Sequence, residues 1–256
     1  MRTFCWNCRG LGDADSPAIP YLRWCVRKYG VSILFLQEMM CSFETALTKT
    51  NPLDFPNFCG VDAIGLSGGL LLRWSNDVSL VPIELYRHFI LCKLSIVYPS
   101  IECYIIFLYG EPNVALRNSL WERLSNISRT FSPVVLVGDF NQVEFLFDKL
   151  GGSNNIRGQF DFINWKLDND LLDIPFYGPP FTWMNCRHDN SLLLERLDKA
   201  YASSQWLLLF PSAYVLHLPI LVSDHAPIIL HFLDKSKPSR RPYRLDNWCL
   251  SHPEIE

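Results

Sequence analysis

Between residues 57 and 109 the chain places five strand-like segments in succession: Asn57–Ala63, Gly69–Trp74, Val78–Leu85, Phe89–Val97 and Glu102–Tyr109. Gly, Pro, Ser or Asp separates them, and no helical spacing intervenes. Parallel neighbours need a crossover of a dozen or more residues, so segments this close must turn back on one another as antiparallel strands. The run therefore excludes a purely doubly wound α/β chain. Gly65-Leu-Ser-Gly-Gly69 lies inside it without a strand-to-helix context, and reads as a loop entering a strand, not a phosphate cradle.

The flanks read differently. Residues 2–7 alternate well enough for a strand ending at Asn7, and Cys8 to Asp13 form a turn. Apolar spacing at Ile19, Leu22, Val26 and Tyr29 predicts a helix over 17–29 with Pro17 in its first turn. Val31 to Leu36 is a buried strand that ends in Gln37-Glu38. Leu116, Leu120, Leu124 and Ile127 predict a helix over 114–130, and Val134–Val137 a strand buried on both faces that stops at Gly138-Asp-Phe-Asn141. A polar loop is expected over 148–157, then a helix at about 158–170 with Phe160, Ile163 and Leu167 inward. Phe181–Trp183, Leu197–Tyr201, Ala213–Leu218 and Pro227–Phe232 read as short strands, with a brief helix at 203–210. About a dozen strands and four helices suit two mostly antiparallel sheets packed face to face, with helices outside.

Bulk properties narrow the class. At 256 residues, the chain can build one large core, expected over 1–234 with a basic linker or tail over 235–256. No apolar run approaches the ~20 residues of a membrane span, and the N-terminus lacks signal-peptide composition. Nine scattered cysteines favour reduced, intracellular thiols. Cys5 and Cys8 have a metal-pair spacing without a second pair and read as packing residues. The expectation is an intracellular monomer, nuclear or cytoplasmic, with no membrane and no obligate protein partner. A net charge of −3 leaves room only for local nucleic-acid contact.

Strand-end polar groups form a set: Asn7, Glu38, Tyr109, Asn113, Asp139, Asn141, Asp198, Asp224 and His225. Their oxygens are hard donors, suited to Mg²⁺ or Mn²⁺ and not to zinc. The order Trp6-Asn-Cys-Arg-Gly-Leu11, Gln37-Glu38, Tyr109-Gly-Glu-Pro-Asn113, Gly138-Asp-Phe-Asn141, Arg196-Leu-Asp198 and Ser223-Asp-His225 resembles the endonuclease–exonuclease–phosphatase superfamily. The apurinic endonucleases belong to it. Asp148-Lys-Leu-Gly-Gly152, Gly178 to Trp183, and Trp206 with Phe210-Pro211 bring the likeness closer to the endonuclease domain of plant LINE-type retrotransposons. Arg241 to Trp248 resembles the segment after that domain.

The resemblance implies an α+β, four-layer α/β/β/α sandwich and a Mg²⁺-dependent (or Mn²⁺-dependent) endonuclease that nicks one strand of DNA. By matched position, Glu38 would be the principal metal ligand, helped by Asn7 and Asp224. Asp139 would act on the attacking water, with Asn141 fixing water and phosphate. His225 would stabilise charge on the phosphate, and Asp198 would hold its ring. Tyr109 and Asn113 would contact the phosphate, and Trp183 could stack near substrate. Arg9 departs from the apurinic endonucleases, which carry an acid there, so it joins the substrate-facing group. Two alternatives stay open: an inactive relic that binds nucleic acid or a protein, and a phosphodiesterase acting on RNA or lipid head groups. His88 is read as structural, and His188, His217, His231 and His252 match no motif.

Overall fold

The computed structural model describes residues 1–11, 16–65, 67–187 and 191–233; the basic run at 235–244, His188 and His252 lie outside them. The strands in chain order are β1 Arg2–Asn7, β2 Ile33–Gln37, β3 Asn57–Ile64, β4 Ser67–Trp74, β5 Ser79–Tyr86, β6 Phe89–Ile96, β7 Ile101–Tyr109 and β8 Val134–Asp139. They continue as β9 Lys149–Leu150, β10 Leu171–Asp173, β11 Phe176–Tyr177, β12 Trp183–Met184, β13 Leu194–Glu195, β14 Asp198–Ser203, β15 Tyr214–His217 and β16 Ile228–His231. The helices are α1 Ala18–Tyr29, α2 Phe43–Thr50, α3 Arg117–Thr130, α4 Gln159–Asp168 and α5 Ser204–Leu209.

One sheet has the order β11-β15-β16-β1-β2-β4-β3, and a second β10-β14-β8-β7-β6-β5. Alternation along each strand explains why they stack. Cys5, Ile33, Phe35, Leu70 and Leu72 of the first sheet meet Ile90, Ile105, Phe107, Val135 and Val137 of the second in one buried cluster. Phe35 and Phe107 touch across it with ring centroids 5.3 Å apart. The intervening residues Phe4, Trp6, Leu34, Leu36 and Leu71 face the opposite way and bury Leu22 and Cys25 of α1 and Ala46 of α2. On the far side, Phe89, Ile106, Leu108 and Leu136 bury Leu120, Trp121 and Leu124 of α3 with Phe162 and Trp165 of α4. Strands apolar on both faces thus require a cover on both faces, and the result is the expected α/β/β/α sandwich.

The five segments of 57–109 all form, but they do not share a sheet. β3 and β4 pair in the first, and β5, β6 and β7 in the second. Two parallel pairs complete the frame, β1 with β2 and β7 with β8, each joined through a helix on the outer face.

Some local expectations need correction. α4 turns by part of a turn: Phe162, Trp165 and Lys166 are buried, while Phe160 and Leu167 are 78% and 72% exposed. Two aromatics packing on Trp121, Phe140 and Tyr201 outweigh the smaller stripe read from the sequence. Leu116 ends a short 3₁₀ turn and is half exposed. Residues 148–157 are not all loop, since Asp148 is buried and Lys149–Leu150 pairs with β13, which pairs with β12, as a small third sheet. α2 was unforeseen. Its signal was Ser42, whose side chain accepts from the backbone N–H of Thr45 as an N-cap.

Candidate active site

Register delivers the polar groups to one place. Asn7 ends β1 opposite Gln37 of β2. Tyr109 ends β7 opposite Asp139 of β8, and Asp139 is also paired with Asp198, the first residue of β14. The two sheets therefore present their strand ends side by side, at a cleft of about 610 Å³. Asn7, Arg9, Glu38, Tyr109, Asn141, Trp183, Asp224 and His225 line it. Asp139 and Asp198 lie just beneath, 0% and 1% exposed.

The backbone at these ends is special. Gly138 has φ +141°, and a Cβ there would stand 2.1 Å from the carbonyl oxygen of Leu108, so only glycine lets β8 pass this close to β7. Arg9, Glu38 and Asn141 all adopt left-handed backbone, at φ 45°, 52° and 52°. That turn swings each side chain out of its strand or loop and into the cleft.

Hydrogen bonds then link the buried residues in a row. Asp198 Oδ2 is 2.9 Å from His225 Nδ1. His225 Nε2 lies 3.4 Å from Asn7 Nδ2 and 3.9 Å from Asp139 Oδ2. Asn7 Nδ2 donates to Asp139 Oδ2 at 3.0 Å, and the Asn141 N–H donates to Asp139 Oδ1 at 2.7 Å. The carboxylate of Asp198 fixes the ring of His225, leaving Nε2 toward the cleft. Burial pushes the Asp139 carboxyl up to about 6; nearby Asp198 adds to the rise, while His225 and the Asn141 and Asn7 donors oppose it. For His225 burial disfavours the charged ring, yet the Asp198 and Asp139 carboxylates outweigh it and raise the group to about 9.

A second row lies at the mouth. The Tyr109 hydroxyl donates to Glu38 Oε1 at 2.7 Å, and burial followed by the charge of Glu38 holds it well above the ordinary tyrosine range. Asp224 Oδ2 accepts from Trp183 Nε1 at 3.0 Å and pairs with the Arg9 guanidinium, while its Oδ1 accepts from Ser223 Oγ at 3.2 Å. Asn7 Oδ1 accepts from the Arg9 N–H at 3.2 Å.

Asn113 stands apart. It is exposed, its side chain accepts from the Ala115 N–H, and it lines a neighbouring groove with His88 and Glu111. His88 is buried, with Nδ1 3.0 Å from the Tyr109 carbonyl oxygen and Nε2 3.1 Å from Glu111. Three supports carried no role in the sequence reading. Gln37 Oε1 accepts from the Asp139 N–H at 3.0 Å. Thr182 Oγ1 accepts from the Leu197 and Asp198 N–H groups at 3.0 and 2.9 Å. Ser223 Oγ donates to the Asn7 carbonyl at 2.9 Å and accepts from the His225 N–H at 3.2 Å. Gln37 and Ser223 sit beside motif residues, which was the available signal; Thr182 had none beyond its place before Trp183.

Among the described residues, the tightest group of ligating atoms is Asp139, Asp198 and His225, all within 4.8 Å of one another. His225 Nδ1 is already held by Asp198, which suits an oriented hydrogen-bonded ring more than coordination. Glu38, Asn7 and Asp224 offer only oxygens at the cleft mouth, a donor set that fits a hard divalent cation.

No family profile and no curated protein sequence matches the chain. Solved structures do. An apurinic (AP) endonuclease of Leishmania major, LMAP, superposes with a TM-score of 0.73 at 15% identity, covering 91% of this chain and 87% of its own. The endonuclease domain of TRAS1, a telomere-specific non-LTR retrotransposon, gives 0.66 at 14% identity, with 92% and 99% covered. The 3′-5′ exonuclease NExo of Neisseria meningitidis gives 0.63 at 17% identity, with 91% and 99% covered. In its fold, the chain is similar to all three, an AP endonuclease, a retrotransposon endonuclease domain and a 3′-5′ exonuclease.

Proposed function

We propose that the protein is a metal-dependent phosphodiesterase, an endonuclease that nicks one strand of DNA. The observation that carries this is the row Asp198–His225–Asn7–Asp139, set beside Glu38 and Tyr109 at the end of both sheets. A phosphodiester is cut by aligning a water with phosphorus and stabilising the charge that develops on the phosphate oxygens. Asp139, raised toward neutrality, accepts the proton of the attacking water. Asn7 and the Asn141 N–H fix that carboxylate, one on each oxygen. His225, protonated at neutral pH, donates from Nε2 to the phosphate as its charge rises, and Asp198 stabilises the imidazolium. Glu38 and Asn7, with Asp224 at their side, would hold a Mg²⁺ or Mn²⁺ ion. Such an ion polarises the phosphate and offsets the charge of the leaving oxygen. Tyr109 keeps Glu38 oriented toward it. Descent from a retrotransposon is the reading favoured by the ordered motifs.

The test is nicking of supercoiled plasmid in Mg²⁺ against EDTA. Asp139→Ala and His225→Ala should each lower the rate on the order of 10³-fold or more with the fold retained by circular dichroism. Unchanged rates would refute the assigned roles. A second reading, a relic without metal chemistry, draws support from one observation: Arg9, Trp183 and Ser223 already occupy both oxygens of Asp224. Calorimetric titration with Mg²⁺ separates the two, since the relic need not bind the ion.

A further inference from the structure

Just past the cleft floor, the chain exposes three consecutive large apolar residues. Phe145, Leu146 and Phe147 are 37%, 52% and 73% exposed, and the two phenylalanine rings stack with centroids 5.0 Å apart. The turn that carries them is not loose. Its flanking residues, Glu144 and Asp148, are buried carboxylates, each gripped by buried cations. Glu144 pairs with Lys166 and accepts from the Tyr201 hydroxyl at 2.7 Å. Asp148 accepts from Arg196 Nε at 2.7 Å and Lys199 Nζ at 3.1 Å. Buried ion pairs contribute little net stability, and exposed phenylalanines contribute none, so folding alone does not explain the pairing of the two. It explains well a rigid apolar projection.

Position and charge say what it meets. The residues before the turn, Gln142 and Val143, line the cleft, and so do Lys149, Gly152, Ser153 and Arg157 after it. From 149 to 157 the chain holds two cations, two asparagines and no acid. Arg157 is exposed, and its guanidinium has no hydrogen-bond or ion-pair partner among the described residues. An apolar wedge beside an unpaired cation matches duplex DNA, where side chains such as Phe and Leu enter a base step from the minor groove while Arg and Lys take the flanking phosphates.

We propose that Phe145 and Phe147 form a wedge against the minor groove of duplex DNA bound along the cleft, with Arg157 on an adjoining phosphate. This rests on the nuclease reading and adds how the duplex is gripped and bent. The experiment measures anisotropy of a labelled short duplex with the full chain in EDTA, so that nothing is cut. The Phe145→Ala/Phe147→Ala double variant should lose about tenfold in affinity at an unchanged salt slope, and Arg157→Ala should lower the slope by about one. Phe145→Leu/Phe147→Leu should restore most of the affinity, which a merely structural role at exposed positions would not require. Wild-type affinity in the double alanine variant overturns the proposal. So does a wild-type dimer, seen by sedimentation, that the same variant dissolves, because the patch would then join two copies of the chain. If the wild type nicks plasmid while the double variant keeps its KM, the wedge fails and the nuclease reading stands. If the wild type neither binds nor nicks DNA, the nuclease reading itself fails.

Discussion

The inner and outer halves of the cleft are built on opposite principles. Inside, Asp139, Asp198 and His225 are nearly inaccessible, and each is fixed by two or more partners. At the mouth, Arg9 is mostly exposed and reaches Asp224 across 215 positions of sequence. Groups inside exchange water for oriented dipoles, so their proton affinities move far, to about 6 for Asp139 and about 9 for His225. The Arg9 guanidinium at the mouth remains screened by solvent.

That contrast can be broken in three places. The largest effect is expected inside. Asp198→Asn keeps the shape of the site and removes the charge that stabilises the protonated ring of His225. The nicking rate should fall on the order of 10²- to 10⁴-fold with little change in KM. A loss confined to KM would erase the distinction between the halves. Next comes the root of the rim. Burial raises the Asp148 carboxyl, but Lys199 and Arg196 more than compensate and hold it below the ordinary carboxylate range. Its folded-state pKa is therefore below the unfolded one. Its stabilisation is present above the unfolded pKa and is lost as pH falls through the folded value. Asp148→Asn should cost about 3 kcal/mol at neutral pH and make stability less steep on the acid side of pH ~4, read by urea unfolding across pH. The smallest effect belongs to the mouth: Arg9→Ala removes the cation paired with Asp224 Oδ2, which still accepts from Trp183, and should change the nicking rate by only about threefold while tightening Mg²⁺ binding by calorimetry. A collapse of activity would move Arg9 into the inner half.

The same division marks what the sequence could reveal. The strand ends were legible because each apolar run stops at a polar residue: Asn7, Gln37-Glu38, Tyr109 and Asp139. Strand ends in packed sheets meet at one edge. Asp198 and His225 followed from their order with the others. The mouth was less legible, since the Arg9–Asp224 pair and the Trp183 donor depend on how distant loops fold over one another. Asn113 shows the limit directly: the motif fits, but its side chain caps a 3₁₀ turn and faces another groove. In α4, a count of apolar spacing chose Phe160 and Leu167, whereas ring packing with Trp121 and a partner for Glu144 chose Phe162, Trp165 and Lys166. Periodicity carries no information about the surface a helix meets.

The left-handed backbone at Arg9, Glu38 and Asn141 has a consequence for how the molecule holds together. Each such residue costs roughly 1 kcal/mol relative to relaxed backbone. The site end of the sandwich thus carries conformational energy, as Asp54 and Asp170 do elsewhere in the fold. The core strands behind it keep those ends in place. Arg9, Glu38 and Asn141, which face the cleft, would relax if that packing were weakened.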